Sequence, residues 1–219
     1  MPDRSLAEVR VVVFDVGETL VHETRHWGEW ADWLGIPKFT FLATMGGVIA
    51  RGESHRHAFD LLRPGFDYGA AIRQRVAEGR RYRLTPADFY PDALPCLNAL
   101  RERGLKIGIA GNQPAVAAAS LVDCDVDADF FLTSQDLGFE KPDPRFFQEI
   151  IRRSRASEAH RIAYVGDRLD NDVIPAMRAG MRGVFIRRGP WAFLQAASKQ
   201  TRADLEIENL TELSASLGA

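Results

Sequence analysis

Four stretches of this chain run from apolar residues into groups that can do chemistry. Val11–Leu20 reads Val-Val-Val-Phe-Asp-Val-Gly-Glu-Thr-Leu, so four apolar, mostly β-branched residues lead straight to the carboxylate of Asp15. That pattern suits a strand buried on both faces of a parallel sheet. Lys106–Asn112 is a second such run, closing on Gly111 and Asn112, small and polar groups whose backbone N–H is available to an anion. Gly138–Pro144 offers Lys141 between an acidic neighbour and Pro142. Arg161–Asp172 is a third strand that stops at Gly166-Asp167 and adds Asp172 in the first turn of the next helix. Ligands of open α/β sheets bind outside the carboxyl ends of the strands, which puts Asp15 at the mouth of a crevice, with Gly17 turning the backbone and Thr19 bonding locally. Each residue also suits a quieter role: Asp15 in an Asx turn, Asp172 as a first-turn acid, Lys141 on a surface loop, Asn112 in a turn before Pro114. Their concurrence at successive strand ends is what favours a site.

The elements that must position these residues alternate from Asp92 onward. Helices are expected over Ala93–Arg103, Ala115–Val122, Arg145–Arg153 and Val173–Ala179, and strands over Lys106–Ala110, Phe130–Thr133, Ile162–Val165 and Val184–Ile186. A short strand near Leu205–Ile207 and a helix over Leu210–Leu217 follow. Right-handed crossovers then leave a doubly wound parallel sheet as the simple topology. Val21 to about Thr85 differs in character. Trp27, Trp30, Trp33 and Leu34 recur at helical spacing, as do Phe39, Leu42, Met45 and Ile49, then Phe59 and Leu62, then Ile72 and Val76. This is a helical insertion whose tryptophans read as its own core. Adjacent Gly46 and Gly47 cost about 1 kcal/mol each inside a helix, so a break is expected there.

With 28 basic and 30 acidic residues among 219, the net charge of -2 gives no reason to expect nucleic acid or an anionic membrane as partner. No run is long enough to span a bilayer, and Met1–Arg10 lacks an apolar leader core. Cys96 and Cys124 read as buried thiols of a cytoplasmic protein rather than a disulfide. The four aspartates of Asp123–Asp129 read as a solvated loop without the glycine and closing glutamate of a calcium site. Arg51, Arg56, Arg73, Arg75, Arg80, Arg81 and Arg83 read as solvated helix faces, Arg187-Arg188 as lying nearer the crevice, and Gly189-Pro190-Trp191 as shaping its rim.

In order and spacing, the four motifs resemble those of the haloacid dehalogenase-like hydrolases, over residues 9 to about 190. The resemblance implies an α/β, Rossmann-like core (1–20 and 88–219) and an all-helical cap domain (21–87). It implies a Mg²⁺ ion and hydrolysis of a small phosphorylated substrate. Carried over residue by residue, it makes Asp15 the nucleophile. The metal ligands become the Asp15 carboxylate, the Gly17 carbonyl, Asp167 and Asp172, and the phosphate contacts Gly111, Asn112 and Lys141. Phosphoryl transfer of this kind needs an in-line nucleophile, neutralised phosphate oxygens and a protonated leaving group.

Two positions depart from the pattern. Gly17 stands where active phosphatases of the family place a second aspartate as acid and base, a group worth about 10²–10⁴-fold, so slow turnover or a substitute acid is expected. Glu18 is expected to point elsewhere, with His22, His55 or His57 as possible substitutes. Gly111 stands where the family has a Ser or Thr hydroxyl. A catalytically weak phospho-ligand or protein binding module and a 2-haloacid dehalogenase are the alternatives. The latter is the less similar, since such members carry a Tyr near the Gly17 position and need no metal-binding acid pair.

Overall fold

The computed structural model describes residues 6–196 and 203–217, so the first half of the Met1–Arg10 segment lies outside the described residues. Backbone packing divides the chain into two compact units, Met1–His22 with Leu84–Ala219, and Glu23–Arg83.

The first unit is built on six parallel strands: β1 (Val11–Phe14), β2 (Lys106–Gly111), β3 (Phe130–Thr133), β4 (Ile162–Gly166), β5 (Arg182–Ile186) and β6 (Leu205–Ile207). Their order is β3-β2-β1-β4-β5-β6, the doubly wound arrangement in which the chain leaves β1 in opposite directions and a crevice opens at the switch. The central strand β1 is buried along its whole length, which is why it reads as an unbroken apolar run. Apolar layers cover both faces. Val12, Phe14, Leu97, Leu100 and Ile107 belong to one, and Val13, Phe146, Phe147, Ile150 and Tyr164 to the other.

The helical unit holds α1 (Thr24–Leu34), α2 (Lys38–Ala50), α3 (His57–Leu62) and α4 (Tyr68–Ala77). The sheet unit adds α5 (Ala93–Glu102), α6 (Val116–Val122), α7 (Ser134–Leu137), α8 (Pro144–Ser154), α9 (Ile174–Arg178), α10 (Gly189–Ala196) and α11 (Leu210–Ser216). Local chemistry sets several ends. Asp143 accepts from the N–H of Arg145 at 2.9 Å with Pro144 opening α8, Asp67 caps α4 through Ala70, and Gly35 closes α1 in the left-handed region.

The helical unit is cemented by rings. Trp30 meets Phe59 edge-on at 5.0 Å and stacks on Tyr68 at 5.2 Å, and Phe59 stacks on Phe66 at 5.2 Å. Trp27 and Trp30 are buried, while Trp33 sends its N–H to Glu78 at 2.8 Å. Three expectations fail here. The helix α2 runs unbroken through Gly46-Gly47, because Phe41, Met45, Val48 and Ile49 are buried along it. Phe39 and Leu42 do not share that face, and Phe39 is 85% exposed. Arg75 is also not on a solvated face. It is buried, its guanidinium 4.2 Å above the Trp30 ring.

Among the described residues no single helix is long and apolar enough to cross a membrane. Cys96 and Cys124 are both buried free thiols.

Candidate active site

Sheet register brings the motif residues together. Phe14 pairs with Ile109 of β2 and Val165 of β4, and the Asp15 N–H donates to the Val165 carbonyl at 2.9 Å. Asp15 thus leaves the sheet level with the last residues of both neighbours. Asp167 follows β4 directly. Asp172 sits in a single π-helical turn, Leu169–Val173, a distortion common at functional sites. Its Oδ2 accepts from the Arg168 N–H at 3.1 Å. Gly166 makes this approach possible, because a Cβ there would stand 2.5 Å from the Asp172 Cβ.

The result is a knot of buried charge. One carboxylate oxygen from each of Asp15, Asp167 and Asp172 lies within 4.8 Å of the others, and among the described residues no other such group of three acids, histidines or cysteines forms. Lys141 reaches it from the loop after α7. Its Nζ donates to Asp15 Oδ1 at 2.7 Å, Asp172 Oδ1 at 2.6 Å and Tyr164 Oη at 3.0 Å. Arg168 is turned aside, pairing with Asp170 at 3.2 Å. Three carboxylates therefore face one ammonium.

The electrostatics follow from that imbalance. Burial alone would lower the Lys141 pKa, but Asp15 and Asp172 outweigh it and keep the ammonium charged. For Asp172 the balance tips the other way: burial, reinforced by Asp15, outweighs Lys141 and pushes the acid up to about 6. Asp167 is raised well above the usual range by burial, then by Asp172, Asp15 and Glu18. Its Oδ2 is buried and has no hydrogen-bond partner. An orphaned oxygen in an over-acidic, all-oxygen cluster is the donor set that a hard divalent cation completes.

The remaining sequence candidates are placed as follows. Gly17 lies half-buried in the turn after Asp15, bridged to Val21. Gly111 ends β2, where a Cβ would stand 2.8 Å from Asp15 Oδ1, so any side chain would displace that carboxylate. The Asn112 side chain bonds to the Lys141 backbone: its Oδ1 accepts from the Lys141 N–H at 2.7 Å and its Nδ2 donates to the Lys141 carbonyl at 3.0 Å. Its side chain anchors the lysine's backbone.

Glu18, expected to point elsewhere, is buried with φ near 52° and accepts from Tyr90 Oη at 2.6 Å. Burial, then that bond, raises the Tyr90 pKa. His22 contacts the Ala87 carbonyl at 3.1 Å, and the exposed His57 pairs with Glu53.

Sequence reasoning missed two residues. Tyr164 touches Lys141. Tyr90 holds Glu18. Arg188, expected near the crevice, is buried, donating to Asp92 at 2.5 Å and to the Thr19 carbonyl at 3.1 Å with its guanidinium over Tyr90. The available signal was a hydroxyl inside an apolar strand, since a buried tyrosine must find a partner.

A doubly wound sheet with an acidic cluster at its switch point defines a class of α/β enzyme. Residues 9–180 match the model of the haloacid dehalogenase-like hydrolases, and the chain belongs to that family. A glyceraldehyde 3-phosphate phosphatase of Methanopyrus kandleri is 34% identical over 168 residues, covering 74% of this chain and 72% of that protein. Among solved structures, a haloacid dehalogenase-like phosphatase from Thermococcus onnurineus superposes with a TM-score of 0.62 at 27% identity, covering 96% of this chain and 98% of that one. A 2-haloacid dehalogenase from Pseudomonas syringae does so with a TM-score of 0.56 at 26% identity, covering 96% and 98%. The chain is thus an enzyme of hydrolase type.

Proposed function

We propose that this hydrolase is a Mg²⁺-dependent phosphatase of small phosphate esters, working through an aspartyl phosphate on Asp15. The observation that carries the reading is the convergence of Asp15, Asp167 and Asp172 within 4.8 Å beside a charged, buried Lys141. The phosphatase names of its relatives in sequence support it.

The carboxylates of Asp15, Asp167 and Asp172, with the Gly17 carbonyl, would hold Mg²⁺, which when bound neutralises phosphate oxygens. The chain's own residues do the rest. Lys141 fixes the Asp15 carboxylate by its bond to Oδ1 and offsets charge repulsion between nucleophile and phosphate dianion. An Asp15 oxygen attacks phosphorus, the ester P–O bond breaks, and the leaving group departs as its oxyanion, which takes a proton from solvent water. Water then attacks phosphorus, restoring the Asp15 carboxylate and releasing inorganic phosphate. Backbone N–H groups at Gly111-Asn112 receive the phosphate oxygens. We assign Glu23–Arg83 the role of cap domain.

Gly17 cannot protonate a leaving group, and Glu18 is engaged with Tyr90. Leaving groups that depart without a proton are therefore favoured, so aryl phosphates should turn over faster than alkyl phosphates.

The test is phosphate release from p-nitrophenyl phosphate in Mg²⁺. Wild type should be active, EDTA should stop it, and Asp15→Asn should lose on the order of 10⁴-fold or more in kcat. Chloride release from a 2-haloacid without metal would identify a dehalogenase instead. A protein inert toward both that gains thermal stability with Mg²⁺ and phosphate would be a binding module.

A further inference from the structure

A lysine ammonium has three N–H donors, and at Lys141 all three are taken. Asp15 and Asp172 accept two, and the Tyr164 hydroxyl accepts the third at 3.0 Å. Tyr164 sends its own O–H to the Ala110 carbonyl at 2.7 Å, one residue before Gly111 in β2. With that proton committed, the oxygen faces Lys141 as an acceptor. The ring is held in turn, edge-on to Phe147 at 5.6 Å. Tyr164 is fully buried and pairs in register with Val13, two residues before Asp15.

A phenylalanine would fill the same apolar layer, so what the hydroxyl adds is its two hydrogen bonds, one to the Ala110 carbonyl and one to Lys141. We propose that Tyr164 is a positioning residue. Its hydroxyl occupies the third donor of Lys141, holds the ammonium between Asp15 and Asp172, and leaves the lysine to act on a bound phosphate through its charge. The proposal rests on the reading of Asp15 as the nucleophile. Without the hydroxyl, two carboxylates alone fix the ammonium, and Asp15 loses its set orientation.

Tyr164→Phe tests this. In Mg²⁺ with p-nitrophenyl phosphate, kcat should fall about tenfold while KM stays within about twofold, because orientation of the nucleophile is lost and ground-state binding is not. Nuclear magnetic resonance of ¹⁵N-lysine-labelled protein supplies a readout independent of activity. The shielded Lys141 ammonium should give a resolved, slowly exchanging resonance in wild type, and its proton exchange should accelerate in the variant. An unchanged kcat, a loss matched by an equal rise in KM, or identical ammonium exchange in both proteins overturns the proposal. If Tyr164→Phe does not fold, wild type decides alone, and a missing nuclear Overhauser contact between the Lys141 ammonium and the Tyr164 ring overturns it. If wild type hydrolyses no phosphate ester, the phosphatase reading fails, while the resonance experiment still decides on Tyr164.

Discussion

Each of the two units buries a cation, and they treat it oppositely. In the sheet unit Lys141 has an acceptor for every donor, two of them carboxylates within 2.7 Å. In the helical unit Arg75 lies over Trp30 with its nearest acid, Glu29, at 3.5 Å and its Nε without a partner. Burial, offset in part by Glu29, lowers the Arg75 pKa. A cation whose every donor is matched, two of them by acids, is held for where it puts its charge. One laid on a ring with a loose partner is held for its volume and its flat face. Buried ion pairs are weak evidence of stability, because desolvation consumes most of the attraction, so the Lys141 cluster belongs to chemistry and the aromatic cluster to folding.

Breaking Lys141 should have the largest effect. Lys141→Met leaves three acids facing one another, and we expect a loss of about 10²–10³-fold in kcat together with about 3–5 kcal/mol of stability. Enzyme assay and urea denaturation read the two separately. In the helical unit, Trp30→Ala removes the ring at the centre of the stack and should cost about 3–5 kcal/mol. Arg75→Met keeps the volume and sheds an imperfectly paired charge, so it should change stability by less than about 1.5 kcal/mol. A large loss in Arg75→Met would erase the contrast between the two cations.

Asp167 sharpens the comparison through pH. Its carboxyl is held well above the usual range by burial and by Asp172 and Asp15, and Asp172 is pushed up to about 6. Between the ordinary carboxylate value and these raised ones the native state holds protons that the unfolded chain has released. Stability from these groups is therefore present at low pH and lost as pH rises through the raised values. Metal-free Asp167→Asn escapes its share, so in EDTA the variant should be more stable to unfolding than wild type at pH 8 by about 1–3 kcal/mol, with the gap closing toward pH 4. Added Mg²⁺ should raise the wild-type Tm, more at pH 8 than at pH 5, and should leave the variant unmoved.

The strand ends were legible in the chain because buried parallel strands advertise themselves as apolar runs, and Asp15 and Asp167 stop two of them abruptly. What those residues touch was not legible. Asn112 and Lys141 are 29 positions apart, and their mutual clamp depends on where β2 and the α7 loop meet. Arg187 and Arg188 look alike in sequence, yet Arg187 pairs with exposed Glu208 while Arg188 turns inward to Asp92, a choice of face that neither residue's identity decides. At Gly46-Gly47 a local rule gave way to tertiary packing. Two penalties of about 1 kcal/mol are small beside the burial of Phe41, Met45, Val48 and Ile49 along the same helix.

That outcome yields the smallest prediction, and one whose sign distinguishes the units. At Gly46, inside α2, a Cβ would meet nothing within 4 Å. Gly46→Ala should therefore stabilise the protein by about 0.5–1 kcal/mol, through a less flexible unfolded chain and better helix propensity. The same change at Gly166 would drive a methyl to 2.5 Å from the Asp172 Cβ. There it should destabilise and weaken the Mg²⁺-dependent rise in Tm, because Asp172 must move. Thermal melts of both variants, with and without Mg²⁺, decide the matter: a Gly166→Ala protein that keeps the full metal response would separate Asp172 from the cluster.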